Sequence, residues 1–125
     1  MPVGIGADTA IITTSEALAA GDFVNIHSSS GAKVRKADAT TAGKEAHGFV
    51  LAGAASAASA TVYFEGPNTA VSGQTPGVVF LQTTAGTAGT TAPSAAGNIV
   101  QKLGVATSAT SINFDKSKDG EEHIS

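Results

Sequence analysis

His27, His47 and His123 are the only imidazoles in the chain, and neither their spacing nor a neighbouring Cys suits a tetrahedral metal site. Asp22, His27 and the many Ser residues include the types found in a hydrolase triad, where a carboxylate orients an imidazole that takes a proton from a hydroxyl. No nucleophile-elbow sequence sets a Ser on a strand-to-helix turn, so the types alone do not make a site. Gly4-Ile5-Gly6 opens like a dinucleotide fingerprint, but Thr9 stands at the final Gly position and no long helix pattern follows. Tyr63 is the sole Tyr and Trp is absent, a poor basis for stacking sugars or bases. These residues predict no enzyme, no metal and no cofactor.

Charge narrows the partners. Seven basic and ten acidic residues leave a net charge of −3, which argues against a specific nucleic-acid partner. Lys33, Arg35, Lys36 and Lys44 form one local basic region. Alternation along a strand would turn Val34 inward and Lys33 and Arg35 toward water. Lys33, Arg35 and Lys36 are thus a candidate partner-contact surface. Asp22 beside Gly21 reads as a turn residue whose carboxylate bonds local backbone. Residues 66 to 101 carry no charged side chain at all.

The elements that must hold these residues are short. Val, Ile, Leu and Phe number 26 of 125 residues, while Ala, Gly, Ser and Thr number 66, so any core is thin. Without Cys there are no disulfide staples. Apolar runs are a few residues long and Met1 is followed by no leader-like pattern, so neither a membrane span nor classical export is expected. Residues 1–20 read as an N-terminal arm or first edge strand, with Thr13 and Glu16 too briefly supported to start a helix. Residues 23–27 and 33–37 read as a hairpin about Ser28–Gly31, and 48–52 and 60–65 as a second hairpin about a compact loop. Gly66-Pro67-Asn68 reads as a turn. Strands follow at 78–82, 99–106 and 111–114, with 83–92 as a thin hairpin. Residues 116–125 are charged and read as a flexible tail.

The chain also echoes itself. An offset of 56 lays Gly21–Ile26 on Gly77–Gln82 and His47–Val50 on Leu103–Ala106, and an offset of 50 lays Thr61–Glu65 on Ser111–Asp115. Two related β units, 21–65 and 77–115, are predicted within one compact domain over 21–115. Neither holds enough large residues for its own core, so the expected fold is all-β, a small barrel or sandwich closed by both units. The expected core is Phe23, Val34, Val50, Phe64 with its neighbours Val62 and Tyr63, Phe80, Ile99, Leu103, Val105, Ile112 and Phe114.

Several modest motifs occur in a recognisable order: Ala19-Ala20-Gly21-Asp22-Phe23-Val24, Gly48-Phe49-Val50-Leu51, Ala60–Gly66, Thr75–Leu81, Thr91–Gln101 and Leu103–Ala106. Over roughly residues 16–115 they resemble the small tailed-phage capsid cement proteins of the DUF2190 type. The resemblance implies a β-rich accessory protein on the outer surface of the virion's capsid. It would bind the major capsid protein as a homo-oligomer, with a trimer expected, and bridge neighbouring capsid subunits. Similar segments also look like modules of phage tail or fibre proteins, which implies host-surface recognition as the alternative.

Overall fold

The computed structural model describes residues 9–115. The expected arm over 1–8 and the tail over 116–125, with His123, lie outside the described residues. Every regular element in the described part is a strand, and no helix there is long and apolar enough to cross a membrane. Strands β1 (Thr9–Thr13), β2 (Phe23–Ser28), β3 (Ala32–Lys36), β4 (Gly48–Phe49) and β5 (Ser59–Tyr63) form one antiparallel sheet in the order β1-β5-β4-β2-β3. Strands β6 (Gly66–Asn68), β7 (Gly77–Leu81), β8 (Ala88–Gly89), β9 (Lys102–Ser108) and β10 (Ser111–Phe114) form a second in the order β6-β10-β9-β7-β8. The second order repeats the first strand for strand. The internal echo is therefore a repeat of topology, and it takes in β1 and β6, which the sequence offsets did not include.

Local chemistry explains the pairing. The β2–β3 hairpin turns through Ser30 and Gly31, both at positive φ, and the Lys33 ammonium donates to the carbonyls of Ser29 and Ser30. Gly48 in β4 and Gly104 in β9 sit where a Cβ would strike the carbonyl of Tyr63 and of Asn113, the same strand position in each unit. The edges of the first sheet also meet. Thr14 and Val34 form a parallel bridge, and the Ser15 N–H donates to the Val34 carbonyl at 3.0 Å.

Two apolar clusters follow. One lies within the first sheet and joins Leu18, Val24, Val34, Val50, Ala60 and Val62, with Phe64 half-buried against it. The other lies between the sheets, where Phe23 and Phe49 meet Val79, Leu81, Leu103, Ile112 and Phe114. Ala37, Ala39 and Ala46, from the loop after β3, are also sealed there. Their small side chains let that loop run between the sheets, and its backbone is satisfied on the way. Ala39 donates to the Gln82 carbonyl and accepts from Ile99, and Gln101 makes a two-pronged bond to Ala46.

Three expectations need correction. Phe80 and Val105 are not core residues: Phe80 is half-buried and Val105 is 42% exposed. In β7 the alternation gives the inward places to Val79 and Leu81. In β9 alternation turns Val105 out between Gly104 and Ala106, and a register shift opposite Val79 and Phe80 inserts Leu103 as an extra residue, so that Leu103 is buried beside Gly104. Residues 66–68 are strand β6 rather than a turn. Pro67 fits because β6 is an edge strand, where a missing N–H need not break the ladder. Finally, only Gly48 and Phe49 of 48–52 are strand; Val50 instead exchanges backbone bonds with Gly21 and Asp22.

Candidate functional site

Alternation in β3 places the basic residues as expected, with Val34 sealed and Lys33, Arg35 and Lys36 half-exposed. Each also has structural work. The Arg35 guanidinium donates to Asn25 Oδ1 at 2.9 Å, and the amide of the fully buried Asn25 donates to the carbonyls of Gly43 and Glu45. This ties the loop before β4 to the sheet. Lys33 closes the hairpin, and Lys36 lies 3.9 Å from the Asp22 carboxylate. The basic strand is thus a braced cationic surface rather than a set of free side chains.

The candidate acid and base residues do not converge. Asp22 Oδ2 accepts from the Ala19 N–H at 2.8 Å, the turn role expected of it. Burial raises its carboxyl above the ordinary value, against the opposing pull of the Ala19 N–H and Lys36. His27 Nε2 is 2.8 Å from the Ser15 hydroxyl, and no carboxylate bonds its ring among the described residues. Partial desolvation, then the charges of Arg35 and Lys33, hold its imidazole below the ordinary value. His47 uses Nδ1 to accept the Ile26 N–H. Burial alone would raise the Asp38 carboxyl, but the Thr40 hydroxyl and N–H donate to it and bring it below its ordinary value. Among the described residues no group of His, Asp and Glu is placed to hold a metal ion. A cavity of about 190 Å³ beside Asp22, Gln74 and Thr87 has one carboxylate and no second titratable group.

The second sheet carries a different kind of surface. Its register sets Pro67 beside Asn113, Asn113 beside Val105 and Val105 beside Val78, in one row across four strands. All four residues are exposed. The matching row of the first sheet is Thr9, Tyr63, Phe49 and Phe23. There Phe23 and Phe49 are sealed, with the Phe114 ring 5.5 and 6.0 Å from theirs. Between residues 66 and 114 the only charged side chain is Lys102. Against family models, curated proteins and solved structures alike, the chain finds no match.

What the geometry offers is therefore two unlike surfaces on two like-built sheets. The first carries the braced cations of β3; the second carries a neutral row of apolar and amide side chains. Sequence reasoning named the cations. It missed the outward row, although β7 alternation, with Val79 and Leu81 inward, was the signal that would have turned Val78 and Phe80 out. It also missed Asn68, which is fully buried and donates to the Gly21 carbonyl at 3.0 Å, pinning β6 to the first sheet.

Proposed function

We propose that this protein decorates the head of a tailed phage, binding the outer surface of the mature capsid as a homo-oligomer, most simply a trimer, and bridging major capsid subunits. The observation that carries this reading is the division of surface chemistry between two joined sheets, a cluster of cations on β3 of one and a largely uncharged face, with Lys102 its single charge, on the other. A bridging protein needs at least two contact surfaces held at a fixed spacing. The hydrogen bonds of Phe23 with Gly86, Gly86 with Ala37 and Gln101 with Ala46 supply that spacing here. The ordered motifs over residues 16–115 give the reading its particular partner. In finer detail, the first sheet is a small barrel closed at Thr14 and Val34, with the second sheet laid against it. Lys33, Arg35 and Lys36 are the face offered to the shell.

Binding across neighbouring capsomers stabilises the shell because those contacts must break before the subunits separate. The test is to mix the purified protein with undecorated mature heads and to measure bound copies and heat-induced DNA release. Saturable binding with release at a higher temperature is expected. Failure to bind, with capture by a host envelope polysaccharide instead, would replace decoration by host recognition.

A further inference from the structure

We propose that the acidic segment Asp119–Glu122 of this chain docks on the cations of its own β2–β3 hairpin and following loop, Lys33, Arg35 and Lys44.

Charge complementarity carries the argument. Four of the seven basic residues fall within Lys33–Lys44, and three of the ten acidic residues fall within Asp119–Glu122. Lys36 is matched by Asp22, whereas Lys33, Arg35 and Lys44 pair with no carboxylate among the described residues. The three nonetheless stand together. Arg35 Nη2 lies 3.4 Å from the carbonyl of Gly43, the neighbour of Lys44. After desolvation, the charges of Arg35, Lys33 and Lys44 all lower the His27 titration, which gathers them about one ring. The acids nearby are already engaged. Glu16, which opposes them at His27, accepts the Lys36 N–H at 2.9 Å, and Asp38 accepts the hydroxyl and N–H of Thr40. The fold thus leaves a group of cations unanswered, and the same chain carries a matching group of acids.

Length and starting point agree with that occupant. Phe114 ends β10 with its ring 5.5 Å from that of Phe23, and alternation in β2 puts Phe23 on the face that also carries Asn25 and its bond from Arg35. Asp115 then donates its N–H to the Leu103 carbonyl. From Leu103 the path to Lys44 is two residues back to Gln101, its side-chain bond to Ala46, and two residues back again. That path is about 25 Å at most, and the residues from Phe114 to Asp119 and to Glu122 span about 17 and 28 Å when extended. So short a linker presents the acids at about millimolar effective concentration, which favours the chain's own segment over that of a second copy in dilute solution. One exposed ion pair shifts such an equilibrium only about two- to fivefold, but three made by one segment favour the docked form about tenfold or more. Lys33 and Arg35 also belong to the face assigned above to the shell, so on that reading the segment is a competitor that the shell displaces.

The test is zero-length carbodiimide coupling of the full chain in dilute solution, with the joined peptides identified by mass spectrometry. Amide links from Asp119, Glu121 or Glu122 to Lys33 or Lys44 should form within single chains and fall at least about fivefold in 1 M salt, where the screening length is about 3 Å. Lys102 is the control, because it is exposed and adjoins Leu103 at the root of the segment, where an undirected segment finds it first. Links to Lys102 that match or exceed those to Lys33 and Lys44, or a yield that ignores salt, overturn the proposal. A mixture of isotope-labelled and unlabelled chains separates links within chains from links between them, and links only between chains also overturn it. As a second measurement, the combined variant Asp119→Asn, Glu121→Gln, Glu122→Gln should shift the backbone amide resonances of Lys33, Arg35 and Lys44 and leave that of Ala109 in place; unmoved resonances at the three cations overturn the proposal. If the links form but the protein ignores heads, the decoration reading falls and this one stands; if heads bind and the links are absent, the reverse holds.

Discussion

Phe49 and Val105 hold the same place in the two sheets, one opposite Tyr63 and the other opposite Asn113, yet Phe49 is 1% exposed and Val105 is 42% exposed. Equivalent backbone positions thus have opposite fates, decided by whether a sheet lies over them. Removing the Phe49 side chain takes away its contacts with Phe23, Phe114 and the stacked Tyr63 ring. Phe49→Ala should cost about 3–5 kcal/mol, whereas Val105→Ala should cost under about 1 kcal/mol in the dissociated chain. Chemical denaturation at low protein concentration checks the contrast, and equal losses would contradict the assigned burial.

Gly48 and Gly104 make the same demand on the backbone in the two units. A Cβ at Gly48 would lie 2.5 Å from the Tyr63 carbonyl oxygen, and one at Gly104 would strike the Asn113 carbonyl from a positive φ. Both obstacles are backbone of the paired strand, so neither can swing aside. Gly48→Ala and Gly104→Ala should each cost more than about 2 kcal/mol, measured as a fall in the denaturation midpoint. Gly43, at positive φ but with open space around it, is the comparison: Gly43→Ala should cost only about 1 kcal/mol.

The Asp22 carboxyl gives a pH dependence whose sign follows from its burial. Its titration is raised in the folded chain, so the folded state prefers it protonated, and its ionisation at neutral pH opposes folding. That opposition is absent below the ordinary value of 3.8 and sets in as pH rises through the folded titration. Asp22→Asn keeps an acceptor for the Ala19 N–H and removes the buried charge. The variant should melt at a higher temperature than wild type at pH 7, and the difference should shrink as pH falls toward 4. A variant less stable than wild type at pH 7 would show that Lys36 and Ala19 outweigh desolvation.

Much of this fold is readable from residue order, and the failures share a cause. The hairpin at Ser28–Gly31 and the inward Val34 follow from turn chemistry and alternation, which are local. Phe80 and Val105 defeat the same reasoning because Val78 to Leu81 are all apolar, so residue type does not say which alternate set faces in, and because Leu103 and Gly104 both face in across a one-residue register shift, which hides the alternation that turns Val105 out. Pro67 reads as a turn until its strand is known to lie at an edge. The neutral tract 66–101 stands out in the sequence, but its surface role emerges only when Val78 is laid beside Val105. The cations were legible as a group, while the bond from Arg35 to Asn25 joins residues whose pairing depends on the hairpin register.

Asn68 shows how the two sheets are held as one unit, and it provides the last test. Its side-chain amide donates to the Gly21 carbonyl, its carbonyl oxygen accepts from the Ala70 N–H at 3.1 Å, and no water reaches it. Gly21 itself is packed so closely that a Cβ would strike the Ala70 carbonyl. Asn68→Ala removes the side-chain partner of the Gly21 carbonyl and of the Ala70 N–H, at a cost of about 1–3 kcal/mol, and the loss falls on the join between sheets rather than on either sheet alone. Hydrogen exchange should therefore show faster opening at Gly21, Ala70 and Gly86, while the β2–β3 hairpin keeps its protection relative to global stability. Uniform loss of protection would mean that the sheets unfold as one cooperative block and that Asn68 is an ordinary core residue.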